Sequence, residues 1–478
     1  MRPISVIRKA ISFALSGLGQ HKNRKYRERI VKHLLALAAT TALIWTSPAA
    51  AQNSSTSPEL KAAIAADYDD KLEALFLDFH RNPELSYKEV RTAGIIAREW
   101  RASGFTVTEK VGGTGVVAVM KNGDGPTLML RADMDGLPLV EDSGLDYMST
   151  VKQVSIDGEE QPVMHACGHD VHITSLIGTG RRLAALKDQW QGTLVLIAQP
   201  AEERIGGAKL MIDDGLYSRF PKPDFAMAFH VSADTPTGKL SIGEGIESSS
   251  SDSVDIIVHG VGAHGASPHR GKDPIVMGAQ IIMNLQTIIS REIAPLKPGV
   301  ITVGSFHSGF KHNIISDKAV MQLTVRSDDE ETRAKLLEGI KRVATNVGRM
   351  NGLPEDKLPE VKISHESTPA NYNDSALTKR VKDVFAARFG EKVFDNKPRE
   401  GMGAEDFAYF VAPNTDVPGV YFSVGGTPQA DFDREKAGGA PVPSHHSPFF
   451  KVAPRESVTL GTEAMTAAAL ELLAPKSN

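Results

Sequence analysis

Met164-His165-Ala166-Cys167-Gly168-His169-Asp170-Val171-His172 gathers the chain's single cysteine and three of its histidines into nine residues. Cys and His are the side chains that best hold borderline-soft divalent metals. Cys167 and His169 stand two apart, so one helical face cannot carry both. A tight turn through Gly168 lets both point at one ion. Asp170 reads as an N-cap, and Val171, Leu176, Ile177, Leu183 and Leu186 form a broken apolar stripe beyond it. The stretch is therefore a ligand-bearing loop running into a helix. A buried cysteine with incidental histidines accounts for the same residues equally well. The decision rests on whether more ligands arrive from elsewhere in the chain.

They arrive after apolar strands. Thr127–Arg131 leads into Arg131-Ala132-Asp133-Met134-Asp135-Gly136-Leu137-Pro138. Thr193–Ala198 leads into Gln199-Pro200-Ala201-Glu202-Glu203-Arg204, and Phe225–Phe229 closes on His230. In open α/β sheets ligands bind beyond the carboxyl ends of the strands. Adjacent carboxylates such as Glu202 and Glu203 repel unless a cation or a shared proton compensates. They also point different ways, so one can bind metal while its neighbour works on water. Each feature alone has a bland explanation: a solvated turn, a charged loop, a satisfied core histidine. Their repetition at three strand ends favours a site. Helices are expected over 58–81, which ends with His80 and Glu84 as surface polarity, and over 86–103. Strands Thr106–Thr108 and Gly115–Met120 follow.

Residues 253–365 change character. Strand Val254–His259, helix Asp273–Ser290, strands Val300–His307 and Ala319–Ser327, helix Glu330–Met350 and strand Glu360–His365 give the ferredoxin-like order β-α-β-β-α-β. This predicts a separate inserted domain. Gly260-Val261-Gly262-Ala263-His264-Gly265 places His264 on an exposed loop, and His269 reads as surface. The chain then returns to α/β with helix Ala376–Phe389, the stretch Gly401–Phe407, strand Val420–Val424, Ser444-His445-His446-Ser447-Pro448-Phe449 and helix Ser457–Leu473. Either histidine of the pair is a candidate ligand. The expected divisions are an export signal over 1–51, catalytic parts over 52–250 and 367–478, and the insert over 251–366.

A chain of 478 residues of ordinary composition has core for two or more domains. Basic Lys22–His33, apolar Leu34–Trp45 and small residues at Thr46–Ala51 form an export signal. The apolar run falls short of the roughly 20 residues a spanning helix needs. The first 51 residues carry +8, and removing them from a whole-chain −4 leaves −12. That charge excludes nucleic acid and anionic membrane surfaces as partners. The expected location is periplasmic. A lone thiol in an oxidising compartment is a liability unless something occupies it, and a metal would.

One Cys, three or four His and one or two carboxylates exceed a single four-coordinate site and suit two neighbouring ions. Such a pair polarises a carbonyl and lowers the pKa of a bridging water, and Glu202 or Glu203 can take that water's proton. The combination hydrolyses amides, and no Gly-x-Ser-x-Gly elbow or phosphate loop competes with it.

Arg131–Pro138, His165–His172, Pro200–Glu203, Gly262–His269, Gly403–Phe407 and His446–Phe449 resemble, in order and spacing, the motifs of the aminoacylase/carboxypeptidase metallopeptidase superfamily. The similarity runs from about Ala65 to about Leu473. It is greatest to the branch of hippurate hydrolase, N-acyl-amino-acid amidohydrolase and the indole-acetyl-amino-acid hydrolases. The Cys-Gly-His-Asp form is particular to this branch; other members use Asp at the bridging position. The resemblance implies a dinuclear-metal exopeptidase-like α/β catalytic domain, a mixed sheet flanked by helices, with the insert as a lid that also pairs two subunits into a homodimer. It implies Cys167 bridging two divalent ions (Zn, Mn, Ni or Co), with His169, Glu203, His230 and His446 completing their shells. Glu202 would be the general base, and Asp135 would orient a ligand. His264 would stabilise the oxyanion in the partner subunit's site. Asn313 and Arg326 would contact the substrate carbonyl and carboxylate. Gly136, Gly265 and Ser316 depart from the usual Ala, Ala and Pro. The expected substrate is an N-acyl amino acid or related small amide. The alternatives are a metal dipeptidase or carboxypeptidase, a thiol enzyme using Cys167, and a non-catalytic metal- or ligand-binding protein.

Overall fold

Strands buried on both faces need near-continuous apolar runs, and four such runs build the centre of the larger sheet. The computed structural model describes residues 56–475, so the export signal expected over 1–51 lies outside the described residues. Lys61–Asn478 forms one compact unit, and of the other, Met1–Leu60, only residues 56–60 are described, as the start of helix Thr56–Asp67. No helix among the described residues is long and apolar enough to cross a membrane.

In chain order the main strands are β1 (Thr106–Val111), β2 (Gly115–Asn122), β3 (Thr127–Asp133), β4 (Gly192–Gln199), β5 (Phe225–Pro236), β6 (Leu240–Ser241), β7 (Ser250–His259), β8 (Gly299–Ser308), β9 (Lys318–Ser327), β10 (Glu360–Thr368) and β11 (Gly419–Thr427). The main helices are α1 (Glu73–Arg81), α2 (Val90–Ala102), α3 (His169–Ala185), α4 (Pro274–Thr287), α5 (Glu330–Met350), α6 (Ser375–Phe389) and α7 (Pro454–Leu472). The larger sheet has the order β1-β2-β4-β3-β5-β11-β6. Its centre, β4-β3-β5-β11, is parallel, and its margins are antiparallel. Side chains alternate between two cores. Leu128, Leu130, Leu194 and Leu196 pack with Phe76, Trp100, Ile177 and Met465 on one face. Met129, Val195 and Ile197 pack with Met211, Phe410 and Tyr421 on the other. This period of two is what holds the register.

The smaller sheet, β8-β9-β7-β10, is antiparallel throughout. Its buried Ile256, Met321 and Val325 pack with Ile281, Leu336 and Ile340 of α4 and α5. The element order β7-α4-β8-β9-α5-β10 is the ferredoxin-like one. Both helices start where the sequence carries strong caps: Asp273 accepts from the Ile275 N–H ahead of Pro274, and Asp329 from the Thr332 N–H.

Several boundaries differ from expectation, and three of them have a local cause. The helix expected over 58–81 is interrupted by a π-helical turn at Tyr68–Leu72. The helix expected from 86 starts at Val90, because Tyr87 takes a left-handed φ of +67° inside a turn. The strand expected to end at Phe229 runs on to Pro236, since β11 keeps pairing with it after its ladder with β3 stops at Ala228. His230 thus sits just past the end of the ladder with β3, where its ring packs against those of His172 and His445.

Candidate metal centre

The convergence begins with parallel strands. β3 and β4 are adjacent and end in register, Asp133 opposite Gln199, so the loops carrying Asp135 and Glu202–Glu203 leave side by side. The Cys167 turn reaches them from α3. Gly168 has φ +83°, and a Cβ there would lie 2.3 Å from Val231 Cγ1, so no other residue fits the turn. Asp170 is not the cap. The helix begins at His169, with Gly168 at the N-cap and no side-chain cap bond. Asp170 points away to His80 Nδ1 at 2.7 Å. His80, expected at the surface, is only 4 % exposed and also meets Glu141 Oε1 at 3.0 Å.

Cys167 Sγ lies 3.4 Å from His230 Nε2 and 3.3 Å from His446 Nε2. His446 Nε2 is 3.5 Å from Glu203 Oε2, and His169 Nε2 is 3.8 Å from Glu203 Oε1 and 3.9 Å from Glu202 Oε2. Two triads, Cys167–His169–His230 and Cys167–Glu203–His446, each place their donor atoms within 4.8 Å of one another, and Cys167 belongs to both. The imidazoles are aimed by their other nitrogens. His230 Nδ1 donates to the Val231 carbonyl at 2.6 Å and His169 Nδ1 to the Asp135 carbonyl at 2.9 Å, so both Nε2 lone pairs face the cluster. Asp135 also accepts the Glu202 and Glu203 N–H groups, both at 3.1 Å, and the Ser86 hydroxyl at 2.6 Å. Asp135 therefore fixes the next loop through its carboxylate and one imidazole through its backbone carbonyl.

The histidine pair is divided. His446, at φ +61°, faces Cys167, while His445 Nε2 accepts from the Ala233 N–H at 3.0 Å. His172 is supporting: its Nδ1 meets Asp133 Oδ1 at 2.5 Å and its Nε2 accepts from the Val231 N–H at 2.8 Å, which leaves no free lone pair. Burial pushes its pKa down to about 3. His165 is buried with neither ring nitrogen partnered.

The electrostatics favour cations. Asp133, Asp135, Glu202, Glu405 and Asp406 are all buried here, with Glu203 beside them. Burial, then Glu405 and Glu203, holds the Glu202 carboxyl well above the usual range. Burial pushes Glu203 up to about 8, with Asp135 and Asp133 adding to it and His169 opposing. Burial, then Glu203 and Glu202, pushes the Cys167 thiol well up. His169 Nε2 and Glu203 Oε1 are buried with no hydrogen-bond partner. Orphaned donors among surplus buried carboxylates fit divalent ions, which would neutralise the carboxylates and draw the thiol to thiolate.

The guanidinium buried among these carboxylates is that of Arg131. Its Nη1 donates to Asp133 Oδ2 at 2.8 Å, its Nη2 to Glu405 Oε1 at 2.7 Å and Asp406 Oδ1 at 3.2 Å, and its Nε to Gln199 Oε1 at 2.8 Å. Arg131→Met would strand those charges. The expected loss is about 3–5 kcal/mol, read as a lowered denaturation midpoint; an unchanged midpoint would contradict this account of Arg131.

His80 gives a pH signature. Burial works against its charge, but hydrogen bonds to Asp170 and Glu141 outweigh it and raise its pKa to about 9. A folded pKa above the ordinary 6.5 contributes stability fully below pH 6.5 and loses it as pH climbs through 9, a swing of about 3 kcal/mol. The midpoint gap between wild type and His80→Gln should therefore shrink from pH 6 to pH 10. A gap constant over that range would refute the assignment.

His264, Asn313 and Arg326 are not joined to this cluster by any hydrogen bond or ion pair among the described residues. His264 is exposed and pairs with Ile314 in a two-residue ladder, where the Gly265 N–H donates to the Asn313 carbonyl at 2.8 Å. Arg326 lies on β9, with its Nε on Thr324 Oγ1 at 3.1 Å. Sequence reasoning missed the role of Arg131, although an arginine inside the apolar run Met129-Leu130-Arg131-Ala132 was a signal for a buried ion pair.

The family described as Peptidase family M20/M25/M40 matches residues 129–453. The chain is 37% identical over 346 residues to the hippurate hydrolase of Campylobacter jejuni, covering 72% of this chain and 86% of that one. It is 37% identical over 374 residues to thermostable carboxypeptidase 2 of Saccharolobus solfataricus, covering 77% and 88%. Among solved structures, the Bacillus subtilis YXEP protein, described as a dinuclear metal binding peptidase from M20 family, superposes with TM-score 0.67 at 28% identity, covering 86% of this chain and 99% of that one.

Proposed function

The chain belongs to peptidase family M20/M25/M40, and from that premise we propose that it is a dinuclear metal amidohydrolase cleaving N-acyl amino acids to a carboxylate and a free amino acid. The observation that carries this is the pair of donor triads sharing Cys167, with His169 Nε2 and Glu203 Oε1 buried and unpartnered. Cys167, His169 and His230 would hold one ion, and Cys167, Glu203 and His446 the other. Zn, Mn, Ni and Co all suit this mixed S, N and O donor set. When bound, the ions polarise the scissile carbonyl and lower the pKa of water.

The chain's own residues do the rest. Glu202 takes a proton from the attacking water and returns it to the leaving nitrogen as the C–N bond breaks. Its buried setting raises its proton affinity, which suits a group that must hold a proton between those two moments. Asp135 keeps His169 and the Glu202–Glu203 loop in register. We assign His264 to stabilising the oxyanion in a neighbouring subunit's site of a homodimer, Asn313 to the substrate carbonyl and Arg326 to the substrate carboxylate. We place the enzyme in the periplasm, from the character of residues 1–51.

The C. jejuni relative's name supports an acyl-amino-acid substrate, and the S. solfataricus relative's name supports a second reading as a metallocarboxypeptidase. Purified protein loaded with each of the four metals is assayed against N-benzoyl and N-acetyl amino acids and against dipeptides. Acyl-amino acids should be hydrolysed with the higher kcat/KM. A preference for dipeptides moves the conclusion to the second reading, and metal binding without any turnover leaves a binding protein.

A further inference from the structure

Arg204 follows the Glu202–Glu203 pair directly, and its side chain leaves the larger sheet altogether. Nε and Nη2 converge on Glu366 Oε1 at 2.6 and 2.5 Å, and Nη1 reaches Asp157 Oδ2 at 2.9 Å. Glu366 sits on β10, an edge strand of the four-stranded sheet. Asp157 lies in the turn between the short strands Lys152–Val154 and Glu160–Pro162.

The loop that bears Arg204 cannot hold its shape alone. Ala201 at φ +49° and Ile205 at φ +50° bracket the two glutamates in the left-handed region, which L-residues rarely occupy and β-branched ones least. Backbone of this kind persists only where its surroundings over-determine it. On the inner side those surroundings are Glu89, which accepts the Ala201 N–H at 2.8 Å, and Asp135, which accepts the next two N–H groups. At the exit a Cβ on Gly207 would lie 1.6 Å from the Pro200 carbonyl oxygen, so the chain turns back on itself. On the outer side the restraint is Arg204.

We infer that Arg204 is a positioning residue: through Glu366 it ties the Glu202–Glu203 loop to the four-stranded sheet, so that the placement of the general base depends on a carboxylate borne by another sheet. The inference rests on the roles of Glu202 and Glu203 proposed above. It does not put Arg204 in contact with substrate. A small displacement of a reacting group costs far more in turnover than in binding, so the signature is a fall in kcat alone.

The test uses the full chain at saturating metal. Arg204→Gln and Glu366→Gln should each lower kcat about tenfold with KM changed less than about twofold. The exchange Arg204→Glu with Glu366→Arg should recover most of the loss, and Asp157→Asn should leave kcat unchanged. Zn²⁺ titration by calorimetry in the absence of substrate provides an independent reading, since a loosened Glu203 should weaken the weaker of the two ions at least about threefold. Unchanged kcat and unchanged Zn²⁺ affinity in Arg204→Gln overturn the inference. So does a rise in KM at constant kcat, which would make Arg204 a substrate contact, and so does an equal loss in Asp157→Asn. Wild-type protein that hydrolyses no amide would instead defeat the proposed function, and the Zn²⁺ titration would still judge Arg204.

Discussion

Glu202→Gln is expected to lower kcat by roughly 10²–10⁴-fold, the range that a positioned proton-transfer group contributes, while both ions stay bound. The substitution keeps the side chain's shape and its backbone N–H on Asp135, so the loop should stand. It removes the group that can hold a proton between attack and departure. Glu203 cannot take over, because its two oxygens already face His446 and His169. The measurements are kcat, KM and metal content on the same preparation. Turnover within threefold of wild type, with two ions present, would show that Glu202 is not the base. Lost turnover together with lost metal would show instead that Glu202 is a ligand and that the two glutamates have been assigned the wrong way round.

Much of this centre is legible in the amino-acid sequence, and the reason is geometric. A parallel sheet brings its strand ends to one edge, so Asp135, Glu202–Glu203 and His230 announce themselves by their positions along the chain. Cys167 and His169 announce themselves by residue type. What stays hidden depends on distances that no local pattern encodes. Asp170 looks like a helix cap, yet it is recruited by His80, ninety residues earlier, and Glu141 completes that buried trio. Choosing His446 over His445 needs the backbone angle at 446 and the Ala233 N–H that captures the other ring. The length of β5 is set by β11, almost two hundred residues later in the chain, which the apolar run 225–229 does not encode. Arg131 is a middle case: its oddity in an apolar strand is visible, but its partners Glu405 and Asp406 come from the far end of the sequence.

Cys167→Ala should be the most damaging single change, because Cys167 is the one donor common to both triads. Each triad drops to two donors, so bound metal should fall from two ions per chain to less than one. Turnover should fall at least about 10³-fold, since the transition-state stabilisation such ions supply is worth several kcal/mol. The decisive companion is Cys167→Asp. A carboxylate offers two oxygens to two ions. If the thiolate serves as a bridge, Cys167→Asp should regain two ions and a measurable share of activity, and a chelator should abolish that activity as it does for wild type. A thiol nucleophile predicts the reverse: Cys167→Asp inactive however much metal it binds, and wild type indifferent to chelators. Burial and the neighbouring carboxylates push the bare thiol's pKa well up, so a nucleophilic thiolate would have no support in this setting except from the ions themselves. The same competition between proton and metal makes metal affinity rise with pH until the thiol is ionised. A chelator titration repeated at several pH values should therefore show wild type releasing its metal more readily as pH falls, with Cys167→Asp following a shallower course. Identical pH courses for the two proteins would remove the thiolate from the metal centre.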